Sequence, residues 1–257
     1  MAYDSGKGEI FVANSGTNNV SVISDSSNTV VATVNVGTGP WGVAYDSGKG
    51  EVFVANANSN TVSVISDSSN TVVATVNVGA SPQGVGYDSG KGEVFVANAN
   101  SNTVSVISDS SNTVVATVNV GTGSINVAYD SGKGEVFVTN YGTNTVSVIS
   151  DSSNTVVATV NVGTSPWGVA YNSANSYVYV GNINQGTISI INVASSSSPP
   201  PNFTSPTSSI LIGVVVVVIA IVATLVLLRK RKGTSMSAPP PASPQPASSP
   251  PAVPPPT

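Results

Sequence analysis

The sequence contains no cysteine and no histidine among its 257 residues. Those absences remove thiol nucleophiles, disulfides, thiolate and imidazole metal sites, and every catalytic triad built on histidine. They say nothing of redox compartment, since a cysteine-free chain suits the cytosol and the cell exterior alike. Charge is also scarce: 8% of residues carry one, against 40% that are hydrophobic, where globular domains average about a quarter charged. Arginine is missing before Arg229, and no acidic residue follows Asp151. All twelve carboxylates therefore share one stretch with Lys7, Lys49, Lys91 and Lys133, at net charge −8. An acidic region without arginine offers phosphates no counterion-releasing patch, which argues against nucleic acid as a partner.

What is present is a repeat. Tyr3, Tyr45, Tyr87, Tyr129 and Tyr171 recur every 42 residues, and Tyr-Asp-Ser-Gly-Lys-Gly-Glu starts at 3, 45, 87 and 129. Each period holds four short runs of Val, Ile, Phe and Thr separated by Gly, Asn, Asp and Ser clusters, which predicts four strands. In the second repeat they cover Trp41 to Tyr45, Glu51 to Ala55, Thr61 to Ser66 and Val72 to Val78. The glycines of Asp46-Ser47-Gly48-Lys49-Gly50 suit a tight reversal, and Asp67-Ser68-Ser69-Asn70 offers acceptors for Asx-type turns. Both turns join antiparallel neighbours. Four strands in 42 residues is the spacing of a propeller blade, a unit that buries its faces only by stacking on the next.

The second strand ends in Phe53-Val54-Ala55-Asn56, Phe137-Val138-Thr139-Asn140 or Tyr177-Val178-Tyr179-Val180-Gly181-Asn182, followed by variants of Asn-Thr-Val-Ser-Val. A Val-Gly-x-x-Pro-x-Gly-Val-Ala connector recurs in order with them, with Ser124-Ile125-Asn126 in place of Pro-x-Gly in one repeat and Gly86 in place of Ala in another. Over residues 1 to about 193 the chain resembles the YVTN-type β-propeller repeat family. The resemblance implies a propeller and points to archaeal surface-layer-type proteins, although the family also has soluble secreted members. The expected fold is all-β: a five-bladed β-propeller over 1–193, with blades at 1–36, 37–78, 79–120, 121–162 and 163–193. Five blades suit a closed ring, and equally part of a larger one. Met1 falls at the repeat position of Val43, inside an inner strand, which predicts a true start upstream.

A Ser/Pro spacer at 194–209 follows, then Ile210 to Leu228, nineteen uncharged residues of which fifteen are Ile, Leu or Val. As a helix, that stretch matches the ~30 Å hydrocarbon core, so it reads as one transmembrane helix with the bilayer as partner. Arg229 to Lys232 follow at once, and the positive-inside bias places the tail, 229–257, in the cytoplasm and the propeller outside a plasma membrane. The tail holds ten prolines after Gly233 and reads as disordered.

Alternating strand direction puts the first and third turns of each repeat on one face, and the second turns and the inter-repeat connectors on the other. Nearly all carboxylates fall on the first face; most repeat-to-repeat differences fall on the second. There Trp41, Gln83, Ile125 and Trp167 occupy one equivalent position, beside Asn126. These are the candidate ligand-binding residues: tryptophans at a concave mouth suit stacking on a sugar or gripping an apolar partner, while simple packing over the inner strands is the bland alternative. Asp25, Asp67, Asp109 and Asp151, each with an Asn three residues on, read as structural turns and not as a metal site, since one carboxylate per turn is too few. Repeated Asp46 and Glu51 equivalents read as turn residues and not as an acid and base pair, because an active site is asymmetric. No cofactor is implied and no enzyme activity is expected. Asn19-Val20-Ser21 and Asn202-Phe203-Thr204 fit the glycosylation pattern, Asn202 being the better-placed acceptor. The expected function is a cell-surface binding or adhesion module for an extracellular protein or glycan. The competing functions are a structural envelope protein packing laterally and an extracytoplasmic solute-binding or enzymatic propeller.

Overall fold

A computed structural model describes residues 1–193. The spacer at 194–209, the apolar span at 210–228, the tail at 229–257 and Asn202 lie outside the described residues. Among the described residues no helix is long and apolar enough to cross a membrane.

Each repeat forms its own antiparallel sheet, its strands in simple sequence order. The first holds β1 (Ala2–Asp4), β2 (Glu9–Asn14), β3 (Asn19–Ser24) and β4 (Thr29–Asn35). The second holds β5 (Pro40–Asp46), β6 (Glu51–Asn56), β7 (Thr61–Ser66) and β8 (Thr71–Asn77). The third holds β9 (Pro82–Asp88), β10 (Glu93–Asn98), β11 (Thr103–Ser108) and β12 (Thr113–Asn119). The fourth holds β13 (Ser124–Asp130), β14 (Glu135–Asn140), β15 (Thr145–Ser150) and β16 (Thr155–Asn161). The fifth has three strands: β17 (Pro166–Asn172), β18 (Tyr177–Asn182) and β19 (Thr187–Asn192). The chain is all-β over this range, as the pattern of β-branched runs and turn clusters requires.

The turns show what each repeated residue does. Asp46 is fully buried, and its Oδ1 accepts the N–H groups of Gly48 at 2.8 Å and Lys49 at 3.2 Å. Gly50 then turns back at φ +66°, a conformation that favours glycine. The Asx-type turn expected at Asp67 thus belongs to Asp46. In the Asp67 turn the reversal is made by Asn70 at φ 52°, which donates its N–H to the Ser66 carbonyl at 2.9 Å. The signature Asn56 is also fully buried, and its amide donates to Ser63 at 3.0 Å and Thr61 at 3.1 Å, tying β6 to β7.

Cores form between sheets, not within them. Phe53, Ala55, Val62, Val64 and Val76 on one face of the second sheet interdigitate with Val94, Val96 and Ile107 of the third. The same set recurs at the other junctions, led by Phe11, Phe95 and Phe137. Each such buried side chain contributes about 1.5 to 3 kcal/mol. The first strands gather in succession, β1 on β5, β5 on β9, β9 on β13 and β13 on β17. Gly42 and Gly84 permit this approach, since a Cβ at either would fall 2.0 or 2.5 Å from a carbonyl oxygen of the next first strand.

The expected closed ring is not what the described residues form. No comparable contact joins β17 back to β1. A Cβ at Gly168, the fifth-sheet counterpart of Gly42, would meet nothing within 4 Å. Ile188 is 60% exposed, whereas its counterpart Val62 is fully buried. The fifth sheet also differs in sequence. Where the other repeats place Asp, Lys and Glu around the first turn, it has Asn172, Asn175 and Tyr177, and so presents no lysine to a following sheet.

Candidate functional site

The two faces named by topology differ in chemistry. On the acidic face Lys7, Lys49 and Lys91 make contacts between sheets. Lys7 donates to the Asp67 carbonyl of the next sheet and lies 3.6 Å from its carboxylate; Lys49 does the same with Asp109, at 3.8 Å. Lys91 donates to the Asp151 carbonyl. The Tyr45 hydroxyl donates to Asp67 at 3.2 Å and also faces Asp4 of the preceding sheet. Burial, and then these two carboxylates, push its phenol well above the ordinary range. Tyr87 and Tyr129 are raised in the same way, by burial and by flanking pairs, Asp46 with Asp109 and Asp88 with Asp151. Glu51 is raised chiefly by burial, against the pull of Lys49. No group of three or more acidic residues is placed to hold a metal ion among the described residues. This face is a fastening repeated at three of the four lysines, Lys7, Lys49 and Lys91.

The variable face is different, and it separates the residues that share one sequence position. Trp41 is 50% exposed. It lines a groove of about 410 Å³ together with Gln83, Ser15, Asn58, Ser81 and Gly39. Ile125 is buried at 6% exposure and belongs to the packing. Trp167 is half-buried, its ring edge-on to Tyr141 with centroids 6.0 Å apart and planes at 86°. Asn126 stands where Gly42 and Gly84 stand in earlier repeats, and its amide donates to the Trp167 carbonyl at 3.0 Å, a junction that Thr139 completes with a 2.9 Å bond to the same oxygen. Of the five candidates, then, Trp41 and Gln83 share a groove, whereas Asn126 and Trp167 fasten the fourth sheet to the fifth. Asn19 opens β3, with its Oδ1 accepting from Asn14 at 2.9 Å and Thr17 at 3.1 Å.

Sequence reasoning passed over Ser15, Asn58 and Ser81 as individual residues, although variation between repeats in these loops marked the face. The groove walls are held by backbone bonds. Ala57 donates to the Gly39 carbonyl at 2.9 Å and Asn58 to that of Thr38 at 3.0 Å. The Gly39 N–H reaches Asn18 Oδ1 at 2.9 Å, and the Ser81 N–H reaches Asn60 Oδ1 at 2.9 Å. Such walls are set before any ligand arrives.

No family model matches this chain, and no curated relative matches it. Solved structures do. Hydrazine synthase of Kuenenia stuttgartiensis is similar with a TM-score of 0.61 at 16% identity, over 74% of this chain and 75% of its own. A functionally unknown protein of Desulfotomaculum acetoxidans DSM 771 is similar with a TM-score of 0.64 at 16% identity, over 73% of this chain and 62% of its own. Identity at this level shows a shared fold and carries no activity across.

Proposed function

We propose that the repeats are blades of a YVTN-type β-propeller, held at a cell surface by the 210–228 span, and that the domain binds an extracellular protein or glycan through its variable face. One observation carries the reading. Three of the four lysines of the acidic face, Lys7, Lys49 and Lys91, bind the next sheet, while the variable face keeps Trp41 half in solvent beside a groove. Exposed tryptophan in a concave, preformed setting is the residue type that dominates recognition surfaces. The reading assigns no catalysis, since no asymmetric set of titratable groups converges in the groove. The positive run after the span supports an outward-facing propeller.

Lateral packing in a cell envelope is the second reading. It is favoured by the outer strands, which carry no charge and leave Val31, Val73, Val115 and Val157 each at least half exposed. Against it, the pairing of every outer strand shifts register near that valine, as between Val64 and Ile65 on the β7 side, and such bulges blunt an edge against further pairing.

The test uses full-length chain in liposomes, first checked for co-flotation, then offered a panel of envelope proteins and glycans. The Trp41→Ala, Trp167→Ala double variant is expected to lose the binding shown by the parent. Unchanged binding would remove the variable face from the proposal.

A further inference from the structure

Three features compete for a further role: the two unpacked end faces of the sheet array, the uncharged rim, and the groove at Trp41. The groove carries the argument furthest, because the repeat supplies its own control. Trp41 and Trp167 occupy the same position three repeats apart, and so do Ser15 and Tyr141. In the later pair the Tyr141 ring fills the space beside the indole. In the earlier pair the ring is replaced by a serine hydroxyl, the indole is 50% exposed, and a groove of about 410 Å³ opens beside it. The position vacated by an aromatic ring is itself a description of the occupant: a ring-sized body with an apolar face to lay against tryptophan.

The rim of the groove specifies the rest. Ser15, Asn58, Ser81 and Gln83 surround Trp41, and no charged side chain lines the groove. Gln83 adds an amide to the serine hydroxyls and the Asn58 amide around the groove. An anion or cation would find no counter-charge here, and a purely apolar ring would leave the amides and hydroxyls facing it unpaired. From this geometry we infer that the groove binds a neutral saccharide, one sugar ring lying against Trp41 with its hydroxyls shared among Asn58, Gln83, Ser15 and Ser81. The inference rests on the binding function proposed above and narrows it to one ligand class and one of the two tryptophans. A protein partner inserting an aromatic side chain would use the same indole but few of the polar groups around it, so the polar rim favours the sugar.

The experiment is a neutral-oligosaccharide array probed with the full-length chain in detergent, followed by titration of any bound sugar against the Trp41→Ala, Ser15→Tyr and Trp167→Ala variants. Ser15→Tyr rebuilds the packing seen at Tyr141 and fills the groove without touching Trp41. Trp41→Ala and Ser15→Tyr are each expected to weaken binding about tenfold or more, and Trp167→Ala to leave it within about twofold. Circular dichroism melts matching the parent show that the losses are local. No neutral saccharide bound at millimolar concentration, or binding equally sensitive to Trp167→Ala, overturns the inference. A protein ligand lost in Trp41→Ala and Ser15→Tyr, with no sugar bound, overturns the saccharide while leaving the binding function standing.

Discussion

One tyrosine per repeat marks the period in the sequence, and its chemistry emerges only between sheets. Tyr45 sits between Asp4, 41 residues before it, and Asp67, 22 residues after it. Tyr87 and Tyr129 are placed alike. An ionised phenol there would be buried and would face two carboxylates, so the protonated form is favoured in the folded chain. Because the folded value lies above the ordinary value of 10, the associated stability is fully present below that value and is lost as pH rises toward the folded one. Ultraviolet titration is expected to show Tyr45, Tyr87 and Tyr129 ionising last and together with unfolding, and urea midpoints falling as pH is raised above about 10. Phenylalanine replacement of Tyr45, Tyr87 and Tyr129 is expected to flatten that alkaline limb. None of these partnerships is visible in spacing alone, since a period of 42 says that residues are equivalent and not that they touch.

Among elements, the strands were legible to within a residue or two, because runs of Val, Ile and Thr broken by Gly, Asn and Asp leave few alternatives. The junctions were not. Lys49 reaches Asp109 in the next sheet, a step of 60 residues, and the same step from Lys133 arrives at Val193. One lysine is a fastener and its identical counterpart is not. Lys49→Ala is expected to lower stability by a few tenths to about 1 kcal/mol, the scale of an exposed pair. Lys133→Ala should fall within about 0.5 kcal/mol of the parent. Chemical denaturation of the two variants checks the contrast, and equal effects would mean that the fastening adds nothing. The groove depends on elements in the same way. Trp41 was marked as a candidate from its variable position, but Ser15 comes from a different sheet, and only packing shows that its small side chain leaves the indole uncovered.

At the scale of the whole domain, every internal junction sets the Phe-bearing face of one sheet on the following sheet, and among the described residues that face of the fifth sheet is left uncovered. Val62 and Ile188 are equivalent in sequence and opposite in environment, fully buried against 60% exposed. Val62→Lys is expected to unfold the domain or destabilise it by several kcal/mol, because it buries an unpaired charge. Ile188→Lys should stay within about 0.5 kcal/mol. Thermal melts of the pair read directly whether the array is open at its fifth sheet; a severe loss from Ile188→Lys would mean that the ring is closed. The sequence by itself determined the repeat, the strand pattern, the two chemically distinct faces and the exclusion of cysteine and histidine chemistry, because each follows from residue type and local spacing. The tertiary structure decided which equivalents are partnered: Tyr141 covering Trp167 while Ser15 uncovers Trp41, Asn126 fastening a strand instead of facing a ligand, and, among the described residues, Ile188 exposed where Val62 is buried. The physical reason is that a repeat specifies identical local structure, whereas burial, fastening and groove formation depend on the neighbouring sheet, and the neighbours of the terminal and substituted repeats are not identical.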